Sequence, residues 1–293
     1  MDLGKVITAM VTPIHPEKDK VCKKRIHHLV NHLIENGSDG LVIAGTTGES
    51  PTLSHDEKMK LFRQVIETND GRAKLIAGTG SNNTAETIAF TKEVATLGGI
   101  DAVLIVAPYY NKPNQDGLYA HFAAVAEASD LPVVIYNIPG RSVVNIEPET
   151  IIRLAALPNI VGVKESSGNL DNISKIIAET SDDFQVYSGD DSLTLPILAV
   201  GGNGVISVAS HVVGNEMQEM IQAFEHGKVQ KAAQIHRELL PLMNGLFSVP
   251  NPAPTKYLLN QQGISVGPVR LPLVDLNAEQ GTKLQAILEG LSK

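Results

Sequence analysis

Residues 160 to 167 read IVGVKESS, an apolar run that closes on Lys164 and then on small polar side chains. Ile160, Val161 and Val163 read as a strand buried on both faces, as in a parallel sheet. Lys164 then stands at the carboxyl end of that strand. Burial disfavours an ammonium, and a lysine that stays neutral can attack a carbonyl to form a Schiff base. Taken alone, the run reads more readily as a structural lysine that caps the sheet edge, reaching solvent or pairing with Glu165. The choice turns on which other side chains the fold brings to the amine.

Eight β-rich runs start at Val6, Gly40, Lys74, Ala102, Val133, Ile160, Gln185 and Gly204. They recur roughly every 25 to 30 residues with amphipathic segments between them, the spacing of βα units. Ser54 with Glu57 reads as a capping box, and Asn83 or Thr84 opens a helical stretch that stops at Gly98 and Gly99. Pro148 and Glu149 open another helix, with proline in the first turn, where its missing donor is harmless. Eight such repeats imply an α/β fold, a closed (β/α)8 TIM barrel with right-handed crossovers over residues 1–227. Residues 228–293 read as a C-terminal extension of three helices, with Pro250, Pro252 and Pro254 breaking the first from the second and PVRLP from Pro268 separating the last. Packing on the barrel or use in oligomerisation is the simplest account of it.

Barrel enzymes build their sites where strands end. The second run ends in GTTGES with Thr46 and Thr47, and the fourth ends in Tyr109 and Tyr110. The fifth passes from Tyr136 to Arg141, the sixth carries Lys164, and the seventh ends in SGDD from Ser188. Together these supply an amine nucleophile, hydroxyls for proton relay and a guanidinium suited to a carboxylate. Each also has a plainer reading. The threonines could satisfy a Gly-flanked turn, the tyrosines could be rim, interface or core aromatics, and Arg141 could be a surface cation. Their joint placement at the ends of different strands favours chemistry.

Other features carry less. His28 and His32 have i, i+4 spacing but no partner motif, and read as solvated. Asp190 and Asp191 read as a helix cap rather than a magnesium site. GTGSNN at Gly78 and GGNG at Gly201 lack the full nucleotide- or phosphate-loop patterns. The single cysteine, Cys22, excludes an internal disulfide or multi-cysteine metal site. A net charge of −8 without a basic run argues against nucleic acid. No amino-terminal leader or bilayer-length apolar run is apparent, so the expectation is a cytoplasmic protein with no membrane partner.

GTTGES, PYYNKP, YNIPGR and VGVKESSG together closely resemble the dihydrodipicolinate synthase family across essentially the whole chain. The lysine motif alone marks the wider superfamily of pyruvate-dependent Schiff-base aldolases, which includes N-acetylneuraminate lyase. Thr46 followed by Thr47, and Arg141 after YNIPG, resemble the synthase rather than the lyase. The resemblance implies condensation of pyruvate with aspartate semialdehyde in lysine and diaminopimelate biosynthesis. It makes Lys164 the imine-forming residue, gives Thr46 and Thr47 the pyruvate carboxylate, and sets Tyr136 in a hydroxyl relay with Thr46 and Tyr110. Arg141 would bind the second substrate's carboxylate, and backbone groups at Gly189 and Ile206 would line the pocket. Tyr110 is expected to reach in from a neighbouring subunit of a homo-oligomer, a tetramer before a dimer. No metal or organic cofactor is implied.

Positions resembling the family's lysine-inhibition site are Ser50, Pro51, His55, Lys58, Asn82, Glu86 and Tyr109, with Lys58 replacing a histidine of inhibited members. A cation there would repel lysine, so weak inhibition is expected. The alternatives are another 2-keto acid aldolase and a non-catalytic keto-acid-binding regulator.

Overall fold

The computed structural model of the chain describes residues 1–291. Ten strands follow in chain order: β1 (Val6–Ala9), β2 (Ile14–His15), β3 (Lys20–Val21), β4 (Gly40–Ile43), β5 (Lys74–Gly78), β6 (Ala102–Val106), β7 (Val133–Asn137), β8 (Ile160–Glu165), β9 (Gln185–Ser188) and β10 (Gly204–Ser207). All except β2 and β3 close a barrel in the order β1, β4, β5, β6, β7, β8, β9, β10. Every barrel strand starts on the residue at which its run begins in the sequence. The strands are shorter than the runs, whose polar ends form the following loops. The β2–β3 hairpin was not anticipated, because strands of two residues leave no periodic signal.

By its contacts the chain divides into two compact units, Lys74–Ile206 with the first four residues, and Lys5–Ala73 with the chain from Ser207 onward. The first unit carries the parallel strands β5 to β9, and apolar side chains fill them almost throughout. Its helices are α3 (Thr84–Ala95), α4 (Gln115–Ala128), the short α5 (Pro139–Ser142), α6 (Pro148–Ala155), α7 (Leu170–Glu179) and α8 (Thr194–Ala199). Asn83 caps α3 by accepting from the Ala85 and Glu86 amides. The helix ends at Ala95, short of Gly98 and Gly99, whose positive φ angles belong to the loop beyond.

In the second unit β1 and β4 pair in parallel, Ile7 beside Gly40. Helices α1 (Lys23–Glu35), α2 (His55–Asn69) and α9 (Ser210–Glu225) accompany α10 (Val229–Gly245), α11 (Ala253–Gln261) and α12 (Ala278–Leu291), the three helices of the extension. The capping box at α2 is complete, with Ser54 Oγ accepting from the Glu57 amide and Glu57 accepting from the Ser54 amide. Among the described residues no helix is long and apolar enough to cross a membrane.

Candidate active site

In the first unit, β7 and β8 pair so that Tyr136 lies beside Lys164. Lys164 is 6% exposed, and its Nζ stands 4.2 Å from the centroid of the Tyr136 ring. An ammonium over an aromatic face is attracted by the ring quadrupole without an ion pair. Side chains alternate along a strand, so the neighbouring Glu165 points to the opposite face. There it accepts from Asn137 Nδ2 at 3.0 Å and the Ser167 amide at 2.6 Å, and burial raises its carboxyl above the usual range. Glu165 therefore has partners of its own, and the plainer reading in which it pairs with Lys164 does not hold.

Gly189, just after β9, shapes the space around the amine. A Cβ there would stand 2.9 Å from Lys164 Cε and 3.1 Å from Cγ, closer still to Ser166 Oγ, so any larger residue would have to displace these side chains. Ser166 Oγ borders the same spot and is buried without a hydrogen-bond partner among the described residues. The sequence reading overlooked this serine. Ile206 is buried in β10.

Arg141 is exposed on α5, a single turn after β7 whose shape is held by Ser142 Oγ donating to Ile138 O at 2.9 Å. The tyrosines after β6 face outward, and Tyr110 is 88% exposed with a left-handed φ of 73°. Asn82 Nδ2 donates to Tyr109 O at 3.1 Å, tying together the loops after β5 and β6, while Glu86 is exposed in the first turn of α3.

In the second unit, GTTGES follows β4. Thr46 is half-buried and Thr47 buried. Asn251 Nδ2, from the loop between α10 and α11, donates to Thr47 Oγ1 at 2.8 Å, and Thr12 Oγ1 donates to Gly48 O at 2.6 Å. Glu49 has a left-handed φ of 56°, and its buried carboxylate pairs with Lys256 and accepts the Arg270 amide at 2.8 Å. Burial draws the Lys256 ammonium below its ordinary value even with Glu49 beside it. Asn251, Lys256 and Arg270 carried no sequence signal, because each lies some 200 residues from its partner and the prolines around Asn251 read only as breakers. Ser50 opens the turn before α2, which carries His55 and Lys58, and burial lowers the Lys58 ammonium below its ordinary value.

His28 is exposed, but His32 is not solvated as expected, because its Nε2 meets His211 O at 2.8 Å. Asp190 caps the turn after β9 by accepting from the Ser192 amide at 3.1 Å. Cys22 is half-buried before α1. Among the described residues no group of three His, Cys, Asp or Glu side chains could hold a metal ion.

A parallel (β/α)8 barrel with a buried amine at a strand end defines the class of lysine-bearing barrels suited to carbonyl chemistry. Residues 2–291 match the model of the dihydrodipicolinate synthetase family, and the chain belongs to that family. It is 99% identical, over the full length of both chains, to the 4-hydroxy-tetrahydrodipicolinate synthase of Listeria monocytogenes serotype 4a. Among solved structures it is similar to the dihydrodipicolinate synthase of Bacillus anthracis, with a TM-score of 0.96 and 49% identity over 99% of this chain and 98% of that one. It is also similar to that of Cyanidioschyzon merolae with lysine bound, with a TM-score of 0.97 and 48% identity over the same shares.

Proposed function

We infer that the chain condenses pyruvate with aspartate semialdehyde to give 4-hydroxy-tetrahydrodipicolinate, through an imine on Lys164. The observation that carries this reading is the burial of Lys164 against the Tyr136 ring, in a chain 99% identical to a relative that bears the synthase name. The Lys164 lone pair attacks the pyruvate carbonyl carbon, and the carbinolamine loses water to leave a protonated imine. That cation draws electrons from the methyl carbon, which gives up a proton and becomes an enamine. The enamine carbon bonds to the aldehyde carbon of the second substrate, whose oxygen takes a proton and stays as the product's 4-hydroxyl. The second substrate's amine then attacks the imine carbon, closes the ring and releases Lys164. The imine is its own electron sink, so the sequence of steps calls on no organic cofactor or metal.

In this reading Thr46 and Thr47 hold the pyruvate carboxylate, as the family resemblance implies. Tyr136 relays protons with Thr46 and Tyr110, Arg141 holds the carboxylate of aspartate semialdehyde, and Gly189 and Ile206 line the pocket. The exposure of Tyr110 is what a side chain donated to a neighbouring subunit requires, and a tetramer built as a dimer of dimers provides that neighbour. Incubation with pyruvate and borohydride, followed by peptide mass spectrometry and a condensation assay, tests the reading. A stable adduct on Lys164 with turnover is the expected result. An adduct without condensation assigns the chain to another aldolase or a keto-acid binder.

A further inference from the structure

The loop between α10 and α11 reaches the segment that follows β4 through the side chain of Asn251. Asn251 is 5% exposed and donates Nδ2 to Thr47 Oγ1 at 2.8 Å. A hydroxyl has one hydrogen to give and two lone pairs to receive. With a lone pair of Thr47 filled by Asn251, its hydrogen has no acceptor among the described residues and remains available to a ligand.

We propose that Asn251 is a positioning residue for the keto acid: it occupies the acceptor side of Thr47 Oγ1 and so turns the hydroxyl hydrogen toward the substrate carboxylate. The proposal rests on the reading of Thr47 as a carboxylate binder. It assigns part of the helical extension to substrate recognition. The loop backbone is pinned independently of Asn251. Thr12 holds Gly48 O, Glu49 is paired with Lys256 and the Arg270 amide, and Lys256 Nζ also donates to Pro268 O at 2.8 Å. Removing the Asn251 amide therefore frees the hydroxyl to rotate while the loop stays in place.

The chemistry at position 251 separates this role from packing. Oδ1 of Asn251 is buried with no partner among the described residues. An isosteric carboxylate keeps the volume and reverses the hydrogen bond, because it can only accept. It would take the Thr47 hydrogen away from the substrate and set a like charge near the substrate's own.

The test is steady-state kinetics on Asn251→Ala, Asn251→Asp, Thr47→Ala and the double alanine variant, with thermal unfolding of each. Asn251→Ala should raise KM for pyruvate about 3- to 10-fold, the size of one neutral hydrogen bond, and leave KM for aspartate semialdehyde nearly unchanged. Asn251→Asp should raise it further despite its matched shape. In the Thr47→Ala background, Asn251→Ala should add nothing. If Asn251→Ala does not fold, Asn251→Ser carries the same expectation. An Asn251→Asp enzyme with wild-type KM for pyruvate, or an Asn251→Ala effect that persists without the Thr47 hydroxyl, overturns the proposal. Thr47→Ala with an unchanged KM for pyruvate instead removes the carboxylate-binding reading beneath it.

Discussion

Lys164 and Tyr136 are neighbours because two strands pair in register, and Gly189 leaves room beside them. Each has a distinct consequence. Tyr136→Phe keeps the ring under the amine and loses the hydroxyl, so kcat should fall by about 10² to 10⁴, the usual worth of a positioned acid or base. Pyruvate should still be trapped on Lys164 in that variant. Gly189→Ala sets a methyl against the lysine chain, and a displacement of about 1 Å costs on the order of 10² in rate, measurable as slower trapping. If Lys58 takes the place of the histidine of inhibited members, as the family resemblance implies, inhibition by lysine should be weak. Strong inhibition by submillimolar lysine in an activity titration would contradict this, and Lys58→His should increase sensitivity. Lys164 was legible in the sequence because an apolar run ending in lysine is a local pattern. Ser166 and Asn251 were not, because what marks them is a vacancy or a partner that only the folded chain supplies.

The elements show the same division. Strand starts and the α2 capping box could be read directly, since both are written in neighbouring residues. The work of the extension could not, because Lys256 and Arg270 act on Glu49, a residue of the GTTGES loop. Both members of the Glu49–Lys256 pair are almost wholly buried. Removing Lys256 would leave Glu49 charged and desolvated without its counter-ion, held only by the Arg270 amide, so Lys256→Met should destabilise the protein by about 3 to 5 kcal/mol in chemical denaturation. A loss below about 1 kcal/mol would show that the pair does not anchor the loop. Arg270 adds a partly buried clamp on Glu57, whose carboxyl it holds at about 2. That contribution is in place above the ordinary glutamate range and disappears as pH falls toward 2.

For the whole molecule, the (β/α)8 order followed from counting alternations, while its response to acid depends on burial that composition does not reveal. His211 is fully buried, with Nε2 accepting the Val11 amide at 3.1 Å and Nδ1 donating to Val208 O at 2.8 Å. A second proton on the ring would point at an N–H. Desolvation accordingly lowers His211 to about 4, and His121 likewise. Because the unfolded chain binds these protons more readily, stability should be full above the ordinary histidine value and fall toward pH 4, by about 1.4 kcal/mol per pH unit for each ring. Glu165, raised by burial, works in the opposite sense and costs stability as pH rises. Denaturant titrations between pH 7 and 4 measure the balance, and His211→Gln should flatten the acid limb. Sedimentation should find a tetramer, with Tyr110 at an interface. The central claim is that Lys164 is the amine that captures pyruvate, and borohydride trapping tests it most directly. The expected result is one pyruvate-derived adduct per chain, on the peptide that carries Lys164, and none in Lys164→Ala. An unmodified Lys164 in an enzyme that still condenses its substrates would contradict the account.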